Sequence, residues 1–167
     1  MPIVPRRSGR QGRRVLRTLA ACGRPAEPVT AALRRVLGGT GQSRPDIFED
    51  FAMTTLLTDE QRAQLLENGW QARDQRGADP RPVVKLFTPD AGATWLLTEI
   101  DPENPDLAFG LCDLGQGCPE LGWVSLTELA AVRGPLGLPI ERDLGFRPDR
   151  SIEAYAREAR LAGRIVG

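Results

Sequence analysis

The sequence predicts an α+β protein, with an antiparallel sheet of three to five strands and helices packed mainly on one of its faces. Three observations carry that prediction. Apolar runs at Val83–Phe87, Ala93–Asp101 and Leu107–Leu114 have strand length and are joined by proline-containing turns. Helix-start signatures stand at Thr58, Ser125 and Ser151, on either side of those runs. Charge also divides the chain near the internal methionine, Met53. Residues 1–52 hold ten arginines against four acidic groups, a net of +6, whereas residues 53–167 hold twelve basic and eighteen acidic groups, a net of −6. The zero net charge of the whole chain therefore describes neither part. Residues 53–167 are long enough for a single small domain with its own core.

The elements follow in order. Thr58 with Gln61 three residues later forms a capping box, and Leu57 before it packs back as a hydrophobic staple. The helix they open is expected from Asp59 to about Asn68, with Ala63, Leu65 and Leu66 on its apolar side and Gly69 ending it. Residues 71–81 are polar and read as a loop. The three strand runs come next, linked by residues 88–92 and 102–106, both of hairpin length. A short fourth strand is expected near Leu121–Val124. Ser125 and Glu128 form a second capping box, opening a helix through Val132 that stops at Gly134-Pro135. Leu138–Asp143 reads as extended. Ser151 caps a last helix to about Ala162, with Ile152, Tyr155, Ala156, Ala159 and Leu161 facing inward.

Residues 1–52 read as an over-extended reading frame or a disordered extension, with translation beginning at Met53. Their alternative reading is a nucleic-acid arm, because clustered arginines such as Arg6–Arg17 bind phosphate without sequence preference. Leu19-Ala20-Ala21-Cys22 has the form of a lipobox, but the apolar run before it is short and broken by Arg17, so it fails as a secretion signal. Residues 28–37 fit a short helix. No segment approaches the roughly 18 apolar residues of a membrane span, and a cytoplasmic protein is expected.

Composition excludes much chemistry. The chain has no histidine, which removes Ser-His-Asp and Cys-His nucleophile activation, the usual zinc hydrolase sites and the usual proton shuttle at neutral pH. Three cysteines are an odd number, which argues against a disulfide framework and for a reducing compartment. Cys112, Asp113 and Cys118 match no strong thiolate pattern, and the cysteines read as small buried hydrophobes. The glycines at 110, 115 and 117 form no dinucleotide fingerprint, and no lysine follows a glycine loop. Neither cofactor nor metal is expected. Carboxylates are plentiful, so a carboxylate-based enzyme with a cleft gathering Glu99, Asp101 and Asp113 is the weakest of the functional readings.

The sheet yields the candidate site. Symmetric closure of both hairpins pairs Phe87 with Ala93 and Asp101 with Leu107. One face then carries the rows Val83–Leu97–Leu111, Lys85–Trp95–Asp113 and Glu99–Phe109. The other carries Val84–Leu96–Cys112, Leu86–Thr94–Leu114, Thr98–Gly110 and Ile100–Ala108, and is expected to meet the helices. Lys85, Trp95, Glu99 and Asp113 become the candidate binding surface, because a tryptophan flanked by charge on an open sheet face anchors partners. The competing reading is an ordinary cross-strand charge arrangement, with the Lys85 stem along the indole.

Several separated stretches resemble a bacterial family, domain of unknown function 2958. They are residues 53–58 (Met-Thr-Thr-Leu-Leu-Thr), 82–99 (Pro-Val-Val-Lys-Leu-Phe-Thr-Pro-Asp-Ala-Gly-Ala-Thr-Trp-Leu-Leu-Thr-Glu) and 109–115 (Phe-Gly-Leu-Cys-Asp-Leu-Gly). Residues 119–126 (Pro-Glu-Leu-Gly-Trp-Val-Ser-Leu), Arg142-Asp143-Leu144 and Phe146-Arg147-Pro148 complete the set. The resemblance spans about residues 54–164 and departs from the family pattern at Cys118 and Gly145. It implies a start near Met53, no known activity, and genes carried on plasmids and other mobile elements near DNA-handling functions. The leading expectation is thus a small protein-binding accessory factor whose acidic domain meets a basic partner, such as a DNA-processing protein. Direct nucleic-acid binding is expected only if residues 1–52 are made.

Overall fold

The structure, a computed structural model, describes residues 56–74 and 78–166. The expectations for residues 1–52, the Met53 start and the short helix at 28–37 lie outside the described residues. Among those described, the elements run α1 (Asp59–Asp74), β1 (Val84–Phe87), β2 (Thr94–Asp101), β3 (Asn104–Asp113), β4 (Glu120–Ser125), α2 (Leu126–Ala131), β5 (Glu141–Arg142) and α3 (Ile152–Ala162). The five strands form one antiparallel sheet in the order β4-β3-β2-β1-β5. The α+β class is as the sequence predicts. No helix among the described residues is long and apolar enough to cross a membrane.

Local chemistry sets the helix starts. The Thr58 amide donates to Gln61 Oε1 at 3.1 Å, and the Gln61 amide returns to Thr58 Oγ1 at 3.2 Å, which completes the first capping box. At α2, Ser125 Oγ accepts from the Glu128 amide at 3.0 Å. Asp106, from the start of β3, adds an anchor by accepting from Ser125 Oγ at 2.6 Å and from the Thr127 amide at 2.8 Å. α3 ends at Gly163, whose φ of 68° is the left-handed conformation that glycine adopts without steric cost.

Gly69 behaves differently from its sequence reading. α1 runs through it to Asp74, past the expected stop, because Gly69 is where the helix backbone touches the sheet. A Cβ placed there would lie 2.0 Å from the Ile100 carbonyl oxygen. Asn68 Nδ2 donates to the Thr98 carbonyl at 2.7 Å beside this contact. Leu65 is fully buried, whereas Ala63 is exposed.

Two apolar clusters flank the sheet. On one face, Leu65 of α1 and Leu126 and Leu129 of α2 pack with Val84, Leu86, Trp95, Leu97, Ile100, Ala108 and Val124. On the other, Leu96 and Leu111 meet Ile152, Tyr155, Ala156 and Ala159 of α3. The helices α1 and α2 thus share one face, and α3 partly covers the second. Leu161, expected inward, is 91 % exposed.

The strand register differs from the symmetric closure. Thr88 is the cause at the first hairpin. Its hydroxyl oxygen accepts from the Ala93 amide at 3.0 Å, and its own amide donates to the Ala93 carbonyl at 3.0 Å. Thr88, and not Phe87, therefore closes on Ala93, and every β1–β2 pair slips by one: Lys85 lies opposite Leu96 and Leu86 opposite Trp95. The second hairpin keeps the expected pairs Glu99–Phe109 and Ile100–Ala108, but an irregularity between Leu97 and Glu99 shifts the remainder, so Trp95 faces Cys112 and Thr94 faces Asp113. Thr98 is the extra residue, held by its hydroxyl donating to the Phe109 carbonyl at 3.2 Å.

Candidate functional site

The slip removes one of the four residues expected to form one surface: Trp95 changes face, whereas Lys85, Glu99 and Asp113 stay on the α3 side of the sheet. Trp95 is 0 % exposed and lies on the face covered by α1 and α2, in the apolar cluster with Leu86 and Leu97. Its indole Nε1 has no hydrogen-bond partner among the described residues. It is a core residue and not a surface anchor, because a period-two side chain changes face with each one-residue shift.

Lys85 lies on the opposite face. Its Nζ pairs with Asp143 Oδ2 at 3.2 Å and sits 5.9 Å from the centre of the Phe146 ring. Asp113 is 2 % exposed, and both its oxygens are committed: Oδ1 accepts from the Gly115 amide at 2.8 Å and Oδ2 from the Ile165 amide at 2.9 Å. It ties the segment after α3 to the end of β3. Five strand positions, at roughly 3.3 Å each, separate Glu99 from Thr94, the partner of Asp113. The cleft expected to gather Glu99, Asp101 and Asp113 is therefore not formed.

Glu99 keeps a surface role. It lies directly across from Phe109, and Phe109 directly across from Trp123 of β4. This row shares the α3 face of the sheet but belongs to neither apolar cluster, and all three side chains are half-buried. The Phe109 and Trp123 rings are 5.2 Å apart and tilted by 57°, an arrangement favoured by aromatic quadrupoles. Burial, reinforced by the negative charge of Asp101, raises the Glu99 carboxyl above its usual range. A half-buried carboxyl with a raised pKa beside two aromatic rings is suited to a cation, which restores the lost solvation and meets the ring faces. Sequence reasoning found the Glu99–Phe109 pair and missed Trp123. Its signal was the alternation of residues 120–125 (Glu-Leu-Gly-Trp-Val-Ser), which places Trp123 on the same side as Leu121.

A second feature is an open groove of about 430 Å³ lined by Asp143, Gly145, Phe146, Arg147, Asp149, Arg150 and Tyr155. Its charged groups are largely engaged with one another. Arg150 donates to both oxygens of Asp149 and to Glu158, and its guanidinium lies 5.1 Å from the Tyr155 ring centre. Tyr155 donates its hydroxyl to Asp149 at 2.9 Å. The Arg150 and Tyr155 hydrogen bonds hold Asp149 far below the usual carboxylate range. Arg147 Nη1 donates to the Leu144 and Phe146 carbonyls. The residues 142–150 thus form a clamp that fixes their own loop against α3.

Cys112 is the free thiol among the described residues, and burial, with Glu120 and Asp113 nearby, pushes it up to about 12. It is inert at neutral pH. Cys118 is disulfide-bonded, where the sequence reading expected a small buried hydrophobe and no disulfide framework. No group of three or more metal-ligating side chains occurs among the described residues.

No curated protein and no solved structure matches the chain. A family model described as "Protein of unknown function (DUF2958)" matches residues 56–166. That span includes the whole sheet, the Glu99–Phe109–Trp123 row and the 142–150 clamp, and it agrees with the resemblance read from the separated motifs; the chain belongs to the DUF2958 family.

Proposed function

We propose that this protein is a protein-binding accessory factor that engages a basic partner through the Glu99–Phe109–Trp123 row. The observation that supports this reading is the part of the α3 face that the described helices leave uncovered, where two half-exposed aromatic rings stand in line with a carboxyl that has no cation beside it among the described residues. Charge supports the choice of partner. Residues 79–132, which hold the first four strands and α2, carry two basic and nine acidic groups, a net of −7. A cationic partner is drawn to such a surface, and an anionic one such as nucleic acid is repelled. The family resemblance adds the expectation that the partner belongs to the DNA-handling machinery of a plasmid or other mobile element.

The test is affinity purification of the tagged full chain from its native host, with and without nuclease. A stoichiometric protein that survives nuclease and is lost with Trp123→Ala and with Glu99→Gln supports the proposal. Recovery of nucleic acid alone, or of proteins held only through it, overturns the reading and favours a nucleic-acid role for the arginine-rich residues 1–52.

A further inference from the structure

Among the described residues, the strand that carries Trp123 has only one neighbour. β4 pairs with β3 and forms one edge of the sheet. Edges of soluble proteins are normally blunted by lysine, by proline within the strand, by a bulge or by extreme shortness. β4 has six residues in unbroken register with β3, and Glu120 at its first position is its only charged residue. Proline precedes it at 119 and does not interrupt it. The other edge, β5, has two residues and is protected by its shortness.

We infer that β4 accepts an extended, lysine- or arginine-rich segment of the partner as a sixth strand. This inference rests on the proposed function and specifies how the partner docks. Main-chain hydrogen bonds to β4 supply the affinity of such strand addition, and alternate side chains supply its specificity. A neighbouring strand lies about 4.8 Å away, so every second side chain of the added segment shares the face of Trp123, and the one in register with it falls beside the half-exposed ring. A lysine or arginine there gains a cation–π contact. Charge decides between this occupant and a second copy of the chain. Edge-to-edge pairing of two copies would bring together two segments of net −7, whereas a basic strand neutralises one.

The experiment uses the full chain, isotope-labelled for amide exchange, with an end-capped octapeptide alternating arginine and threonine as probe. A second peptide of the same sequence and charge is N-methylated at the amides along one edge. The expected result is protection of β4 amides that exchange freely without peptide, and binding about tenfold weaker for the methylated peptide, the scale of one or two lost hydrogen bonds. Equal binding of both peptides without new protection in β4 overturns strand addition. If that equal binding is also lost with Glu99→Gln, the proposed function survives without this docking mode. Binding of neither peptide overturns both. Protection in β4 that grows with protein concentration alone assigns the edge to a second copy and overturns the basic-strand inference.

Discussion

Replacing Gly69 by alanine sets two opposing effects against each other, and the structure decides the sign. In a free helix interior the change stabilises by about 1 kcal/mol, because glycine loses more backbone entropy on folding. Here the new Cβ would lie 2.0 Å from the Ile100 carbonyl oxygen, 3.1 Å from its carbon and 3.2 Å from Pro102 Cδ. Two of the three atoms are backbone, so they do not rotate away. Relief requires α1 to lift from β2 by at least about 1 Å, which costs the dispersion contacts of Leu65 and strains the 2.7 Å Asn68–Thr98 bond. Overpacking of this kind costs roughly 1–3 kcal/mol and loss of the hydrogen bond about another 1. The net expectation is destabilisation of about 1–3 kcal/mol, seen as a urea midpoint lowered by roughly 1 M. Ala63→Gly, at an exposed position of the same helix, serves as the reference and is expected to lose about 1 kcal/mol through propensity alone. A Gly69→Ala midpoint equal to or above that of the parent refutes the close helix–sheet approach.

The two tryptophans provide a second contrast: Trp95→Ala is expected to cost about 3–5 kcal/mol as a core truncation, and Trp123→Ala about 1 kcal/mol through its ring pair with Phe109, both read from urea unfolding. The raised Glu99 carboxyl holds its proton to higher pH when folded than when unfolded. Its contribution to stability is therefore greatest below the ordinary carboxylate range and is lost as pH rises through the folded value; Glu99→Gln should flatten that part of a stability–pH profile. Asp106 has the opposite sign. Burial opposes its charge, but the Ser125 hydroxyl, Thr127 and Arg62 outweigh burial and lower its pKa. Stability from Asp106 is present above the ordinary range and lost as pH falls, and Asp106→Asn should remove this acid sensitivity in the same profile. Cys112 should resist alkylation at pH 8 in the native protein and react once urea unfolds it, as read by intact mass.

Much of the fold is legible in particular residues. Thr58 with Gln61, and Ser125 with Glu128, mark helix starts because a side-chain oxygen and an amide three residues on meet whatever the tertiary setting. The inward positions Ile152, Tyr155, Ala156 and Ala159 follow from helical spacing. The candidate surface was less legible. Lys85, Trp95 and Asp113 share one face only if each hairpin closes at its strand ends, and one threonine at each hairpin defeats that condition. Thr88 substitutes its hydroxyl for a main-chain partner, and Thr98 adds an unpaired residue.

The sequence by itself determined which segments become helix and strand, because caps, turn residues and side-chain periodicity act over a few residues. It also determined the exclusion of histidine-based chemistry and the acidic character of residues 53–167. Only the tertiary structure decided which face each strand residue occupies. Burying Trp95 and Leu86 together against α1 and α2 satisfies the largest apolar side chains of β1 and β2, and it sends Lys85 to the opposite face, where Asp143 pairs with it. The same decision left Glu99, Phe109 and Trp123 on the part of the sheet that α3 does not reach. Side-chain direction alternates with each strand residue, so a single hydroxyl at a turn was enough to choose between the two surfaces.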